Sequence, residues 1–212
     1  MTFRRAVKQY TEAPITHSVV MEMLTEYTRA NDKISELVKG GELTMLRRGM
    51  YVAGPETDLP IPNLFVVANN LRGPSYVSLE SALSYWGLIP ERVYEISSVT
   101  LKTSKKYTNN LGRFSFQHLS SPYYSFGIES IRLTELQTAL IASKEKALCD
   151  KIITTSGVQL RSVQQTIDFL TNDLRIDEEQ LSLLDTHKIA TWIEDAPKKN
   201  SLQMLIKALN TL

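Results

Sequence analysis

The sequence has few of the side chains that build metal or redox sites. Its 212 residues include one cysteine, Cys149, which cannot form an internal disulfide or build a thiolate metal site alone. Cys149 ends the apolar run Ala147-Leu148-Cys149, a position typical of a buried structural thiol. The three histidines lie far apart, and neither HExxH, CxxC nor a glycine-rich phosphate loop is present. We therefore expect no metal, no cofactor and no catalytic residues.

Long apolar runs and a strong excess of one charge are also missing. The longest purely apolar stretch, residues 64–68, is far shorter than the roughly 20 residues that a membrane helix needs. Residues 1–5 lack the apolar segment of a signal peptide. The formal net charge of +1 excludes a uniformly basic, histone-like protein, but it allows a DNA-binding protein with a local basic face. These features predict a cytoplasmic protein without a membrane partner.

The first fifty or so residues follow the pattern of three short amphipathic helices and a hairpin. The third helix ends at Gly40-Gly41, a strong C-terminal signal because glycine accepts the left-handed conformation. Residues 43–52 then read as strand, tight turn and strand, with Arg47-Arg48-Gly49 as the turn. This order is typical of a winged helix-turn-helix, a DNA-binding domain that we assign to residues 1–55.

The rest of the chain, residues 56–212, is predicted to form a larger α+β domain. Residues 54–62 contain three prolines and are the best candidate linker. Residues 64–68 fit either a buried strand or a short helix, and helices are predicted to begin at Ser78 and Ser143. Strand-like segments are predicted at 94–102, 113–120, 123–131 and 136–142, and helical periodicity predominates after Ser143. The predicted fold class is therefore α+β, with an N-terminal winged helix, a larger α+β domain and a helical C-terminal half.

The polar face of the third helix supplies candidate DNA contacts. Opposite its apolar stripe lie side chains whose donors suit base edges and phosphates, and the wing turn adds two arginines. Asp32 and Glu36 on the same helix oppose phosphate binding, and residues 1–53 carry only eight basic against six acidic side chains. An ordinary solvated helix face therefore stays open as an alternative. The predicted DNA-binding residues are Arg29, Asn31, Lys33, Ser35, Lys39, Arg47 and Arg48.

Several motifs resemble the AbiEi antitoxin family, whose members are also described as transcriptional regulators of viral defence systems. In chain order they are RRGMY at 47–51, GPSYVSLESAL at 73–83, GLIPE at 87–91 and IASKEKALCD at 141–150. The resemblance covers roughly residues 35–155. The last 55 or so residues show only helical periodicity.

This resemblance implies an antitoxin of an abortive-infection toxin–antitoxin system. The N-terminal winged helix would bind double-stranded promoter DNA and repress the system's own promoter. The C-terminal domain would counteract a nucleotidyltransferase-like toxin, without a stable complex being required. A stand-alone transcriptional regulator with no cognate toxin is compatible with the same motifs.

Two further classes remain open on the residues alone. A nucleic-acid-modifying enzyme would need clustered titratable groups in one pocket. An interaction scaffold would use the winged helix to contact protein, and its association would be insensitive to salt. The carboxylates that would have to converge in an enzyme are Glu80, Glu91, Glu145 and Asp150.

Overall fold

The computed structural model describes residues 3–212, and over this range the chain forms ten α-helices and two β-sheets. The α+β class predicted from the sequence is confirmed. Among the described helices, none combines the length and apolar character that a membrane crossing requires.

The N-terminal unit consists of three helices and a three-stranded antiparallel sheet. The strand order is β1-β3-β2, with Ile15 opposite Tyr51 and Thr44 opposite Val52. Apolar side chains of all three helices are buried against the sheet. The elements are α1 (Phe3–Val7), β1 (Ile15–Thr16), α2 (His17–Met23), α3 (Ala30–Lys39), β2 (Leu43–Arg47) and β3 (Met50–Ala53).

A six-stranded mixed sheet forms the middle of the chain, in the order β6-β7-β5-β4-β9-β8. Strand β5 runs parallel to β7, and β4 runs parallel to β9. The apolar run that begins at Leu64 is a helix, and the Asn63 side chain caps it by accepting a hydrogen bond of 2.9 Å from the Phe65 amide. The elements are α4 (Leu64–Leu71), β4 (Ser75–Val77), α5 (Leu79–Tyr85), β5 (Glu95–Thr100), β6 (Lys105–Asn109), β7 (Gly112–His118), β8 (Ile128–Arg132) and β9 (Thr138–Ala142).

The chain ends in a group of helices, as the periodicity predicts. The first of them begins after Ser143, whose hydroxyl accepts a hydrogen bond of 3.2 Å from the Lys146 amide. The next continues into a π-helical turn at Phe169–Asp173. These helices are α6 (Lys144–Thr154), α7 (Val163–Asp168), α8 (Glu178–Ser182), α9 (Thr186–Trp192) and α10 (Lys199–Leu209).

The β2–β3 hairpin belongs to two hydrophobic clusters at once. Tyr51 and Ala53 pack with the helices of the N-terminal unit, whereas Met50 and Val52 pack with α4 and the larger sheet. This division follows from the alternation of side chains along a strand. The hairpin separates the two clusters and contributes side chains to both. The domain boundary at residue 55 therefore stays a prediction.

Polar contacts also hold the β2–β3 hairpin against the larger part of the molecule. The Arg47 Nε donates a hydrogen bond of 3.0 Å to the Leu71 carbonyl at the end of α4. The Asn109 side chain, at the end of β6, donates one of 3.2 Å to the Leu46 carbonyl. The β2–β3 hairpin is thus held by α4 on one side and by the β6–β7 hairpin on another.

Candidate nucleic-acid interface

Helix α3 has one buried and one exposed face, as the sequence pattern predicts. Ala30, Ile34 and Leu37 are buried in the N-terminal cluster. The exposed side chains are mainly polar and include both charges, so the face offers donors and acceptors to a partner. They are Asn31, Asp32, Ser35, Glu36 and Lys39.

Two of the predicted cations at α3 are paired with carboxylates three positions further along the chain. The Arg29 Nε lies 2.8 Å from a carboxylate oxygen of Asp32, and the Lys33 Nζ lies 3.0 Å from one of Glu36. The hydrogen bond to Glu36 raises the pKa of Lys33. Lys39 makes no ion pair with any residue in the described range. The face therefore carries little net positive charge of its own.

A contact through His17 brings α3 and the β2–β3 turn together. The His17 Nε2 lies 2.9 Å from the Asn31 Oδ1, and the His17 amide donates a hydrogen bond of 3.0 Å to the Gly49 carbonyl. The Ser35 hydroxyl also donates to the Asn31 carbonyl, at 3.1 Å. His17 is absent from the predicted set. Its position at the start of the second helix is the signal that could have included it.

The two arginines at the β2–β3 turn differ in their surroundings. Both are exposed, but Arg47 is held by the Leu71 carbonyl and its Nη1 also lies 3.4 Å from the Arg48 carbonyl. The Arg48 guanidinium has no ion-pair partner in the described part of the chain. Arg48 is thus available to an external anion, whereas Arg47 also joins the hairpin to α4.

The four carboxylates that an enzyme would need do not meet in one pocket. Glu80 and Glu91 line an open cleft of about 700 Å³ beside the larger sheet, where they are paired with Lys151 and Arg175 respectively. The other two carboxylates, Glu145 and Asp150, do not line this cleft and are buried.

Asp150 is the centre of a fully buried ionic cluster. Its Oδ1 lies 3.2 Å from the Lys146 Nζ, and neither side chain is exposed to solvent. The hydroxyls of Tyr76 and Ser78 donate to Oδ2 at 3.0 and 2.7 Å, and that of Tyr123 donates to Oδ1 at 3.0 Å. Burial raises the pKa of Asp150 and lowers that of Lys146.

This cluster explains part of the motif pattern in structural terms. Tyr76 and Ser78 come from the GPSYVSLESAL motif, and Lys146 and Asp150 come from IASKEKALCD. The motifs join β4 and the start of α5 to α6 inside the molecule. Within residues 3–212 no group of three or more histidine, cysteine, aspartate or glutamate side chains is placed to hold a metal ion.

Cys149 lies next to this cluster and is completely buried, which confirms the buried thiol predicted from the sequence. Burial raises the pKa of the thiol above its ordinary value, because the surroundings disfavour the thiolate. The side chain therefore packs as a small apolar group.

Comparison with known proteins adds a fold neighbour. No protein-family model matches the chain, and no curated protein matches it. Among solved structures, the crystal structure of RV2827C protein from Mycobacterium tuberculosis is similar, with a TM-score of 0.55 and 14% sequence identity. The similarity covers 97% of this chain and 79% of that one. At this identity, the similarity shows a shared fold alone.

Proposed function

We propose that the chain is a DNA-binding transcriptional regulator whose N-terminal unit is a winged helix-turn-helix that binds double-stranded promoter DNA. The observation that carries this proposal is the arrangement of α3 beside the β2–β3 hairpin. Helix α3 keeps a polar face exposed, and His17 joins that face to the wing turn. A helix of this kind fits the major groove, which is about 12 Å wide.

In this proposal the charge arrangement gives α3 and the wing turn different roles in DNA binding. The ion pairs of Arg29 with Asp32 and of Lys33 with Glu36 lie at the surface, with only the Lys33 side chain half-buried, and surface pairs contribute little to stability. A phosphate can therefore replace a carboxylate partner at small cost. Asn31 and Ser35 contact base edges in this proposal, and Lys39, Arg47 and Arg48 hold the phosphate backbone.

We also propose that the protein represses its own promoter and antagonises a nucleotidyltransferase-like toxin through residues 56–212. The AbiEi-like motifs support this second role. The test is growth of cells that express such a toxin from a neighbouring gene, with and without the full chain. Growth restored by the full chain supports the antitoxin role. If growth stays arrested although the full chain is expressed at a matched level, the antitoxin role is rejected and a stand-alone regulator is favoured.

Replacing Arg48 with alanine is expected to weaken promoter binding and to reduce its salt dependence. Loss of one phosphate contact makes the slope of log K against log salt less steep by about 0.9. The measurement is a mobility-shift titration over a salt series, with the chain's own upstream DNA and a scrambled duplex. Thermal stability is expected to stay unchanged, since the Arg48 side chain is exposed.

Two variants serve as controls for this experiment. Arg47→Ala should change the slope similarly but also lower the melting temperature, because it removes the hydrogen bond to the Leu71 carbonyl. Lys207→Ala, at the exposed end of α10, should change neither quantity. Equal affinity and slope for wild type and Arg48→Ala would reject the wing assignment. Equal affinity of the wild type for upstream and scrambled DNA would reject specific promoter binding.

A further inference from the structure

A group of cations adjoins the wing turn on the larger sheet's side of the hairpin. Lys102 follows β5, Lys105 begins β6, and Arg72 follows α4. Together with Arg47 and Arg48 of the wing turn they form a surface that we call the basic ridge. Lys102 and Lys105 are exposed and Arg72 is partly buried.

Hydrogen bonds join these residues to one another through backbone carbonyls. Arg47 donates a hydrogen bond to the Leu71 carbonyl. The Lys102 Nζ donates one of 2.5 Å to the Gly73 carbonyl. Arg72 donates through Nε and Nη2 to the Thr103 carbonyl, at 3.1 and 2.6 Å. The segment from Leu71 to Gly73 is therefore the point where the wing and the β5–β6 loop meet.

An aromatic ring supports the far end of the ridge. The Lys105 Nζ lies 4.9 Å from the centre of the Tyr107 ring, and the Arg72 Nη1 lies 3.4 Å from the Tyr107 hydroxyl. Carbonyls, a hydroxyl and a ring orient these cations without cancelling their charge. The ridge thus keeps its formal positive charge.

The sequence around the ridge contains no acidic residue. Segments 43–53, 59–79 and 96–128 carry seven lysines and arginines and neither aspartate nor glutamate. Two of these cations, Lys106 and Arg113, line the cleft that also contains Glu80 and Glu91, and they are not part of the ridge. In a chain with a net charge of only +1, five cations that form no ion pair within residues 3–212 create a local positive field.

We propose that the basic ridge binds the phosphate backbone of the same DNA duplex, beside the bases read by α3. This inference rests on the proposed promoter binding and extends it to residues 72–105, outside the predicted winged helix. A duplex is favoured over other polyanions because Arg47 and Arg48 belong both to the wing turn and to the ridge. Such contacts position the protein and carry no sequence information.

The test is the double variant Lys102→Gln/Lys105→Gln in the full chain. Losing two phosphate contacts makes the slope of log K against log salt less steep by about 1.8. Between 50 and 200 mM salt, the loss of affinity should therefore be about 12-fold smaller than for the wild type. Affinity at low salt should fall equally for promoter and scrambled DNA. Lys188→Gln/Lys207→Gln, on α9 and α10, makes the same charge change elsewhere and should match the wild type.

A second variant, Asn31→Ala/Lys39→Gln on α3, separates this inference from the proposed function. If the α3 variant loses promoter preference while the ridge variant behaves as its control does, the ridge is overturned and promoter binding stands. If the wild type shows no promoter preference but the ridge variant still flattens the slope, promoter specificity fails and the ridge stands. Absence of duplex binding, or an effect of the ridge variant on a single-stranded RNA probe alone, overturns the ridge. Thermal melts confirm that each variant is folded.

Discussion

Replacing Asp150 with alanine is expected to lower the free energy of unfolding by about 3–5 kcal/mol. The variant would leave the Lys146 ammonium buried without its carboxylate and would remove the acceptor for the hydroxyls of Tyr76, Ser78 and Tyr123. A buried charge without a partner costs far more than the intact pair contributes. Urea unfolding followed by circular dichroism measures the effect.

The double variant Lys146→Met/Asp150→Asn tests the cause of that loss. It removes both charges, and the asparagine oxygen can still accept hydrogen bonds from the hydroxyls of Tyr76 and Ser78. We therefore expect it to be more stable than Asp150→Ala alone. Stability of Asp150→Ala within about 1 kcal/mol of the wild type would show that the cluster does not hold α6 in place.

Replacing Gly54 with alanine is expected to cost about 3 kcal/mol of unfolding free energy. A Cβ at this position would lie 2.1 Å from the Gly41 carbonyl oxygen and 2.8 Å from the Glu42 carbonyl carbon. Both atoms belong to the backbone, so no rotamer change can relieve the overlap. Relief requires moving the strand ends, where the Gly54 amide donates to the Glu42 carbonyl at 2.9 Å.

Gly40→Ala is the matched control for this prediction. It makes the same chemical change at the end of α3, where the nearest atom to the added Cβ is the Glu36 carbonyl oxygen at 3.2 Å. We expect a change in unfolding free energy of less than about 1 kcal/mol. Equal thermal stability of Gly54→Ala and Gly40→Ala would contradict the importance of the close approach between Gly54 and Gly41.

Local sequence signals predict the N-terminal elements well. They fail where contacts with distant segments determine the environment of a side chain. The apolar stripe and the terminal glycines are enough to place α3. Ser78, in contrast, is predicted to cap a helix, but its hydroxyl donates instead to Asp150, which is 72 positions further along the chain. Lys146 reads as part of a polar helix start, although it is fully buried. The residues next to Lys146 in the sequence do not indicate that two tyrosines and a serine surround it in the folded protein and make this burial possible.

In the candidate interface, too, some features follow from local sequence and others depend on contacts between distant segments. The polar face of α3 and the wing arginines can be found from spacing alone. The link through His17 and the approach of Arg72 and Lys102 to the wing require knowledge of which turns meet in space. Strand β6 is missing from the sequence prediction because Lys105-Lys106 and Asn109-Asn110 are poor strand signals. Charged residues of this kind are common on edge strands, where they discourage pairing with another chain.

The β2–β3 hairpin restricts how the two halves of this protein can be exchanged. Both of its faces are covered, so a fragment ending near Gly54 would expose Leu46, Met50 and Val52 to water as an apolar patch. An N-terminal unit transplanted from a relative would have to bring side chains that match α4 and the larger sheet. Under the proposed function, a new DNA specificity is therefore expected to arise by changes on the outer face of α3, while the hairpin and its neighbours change together.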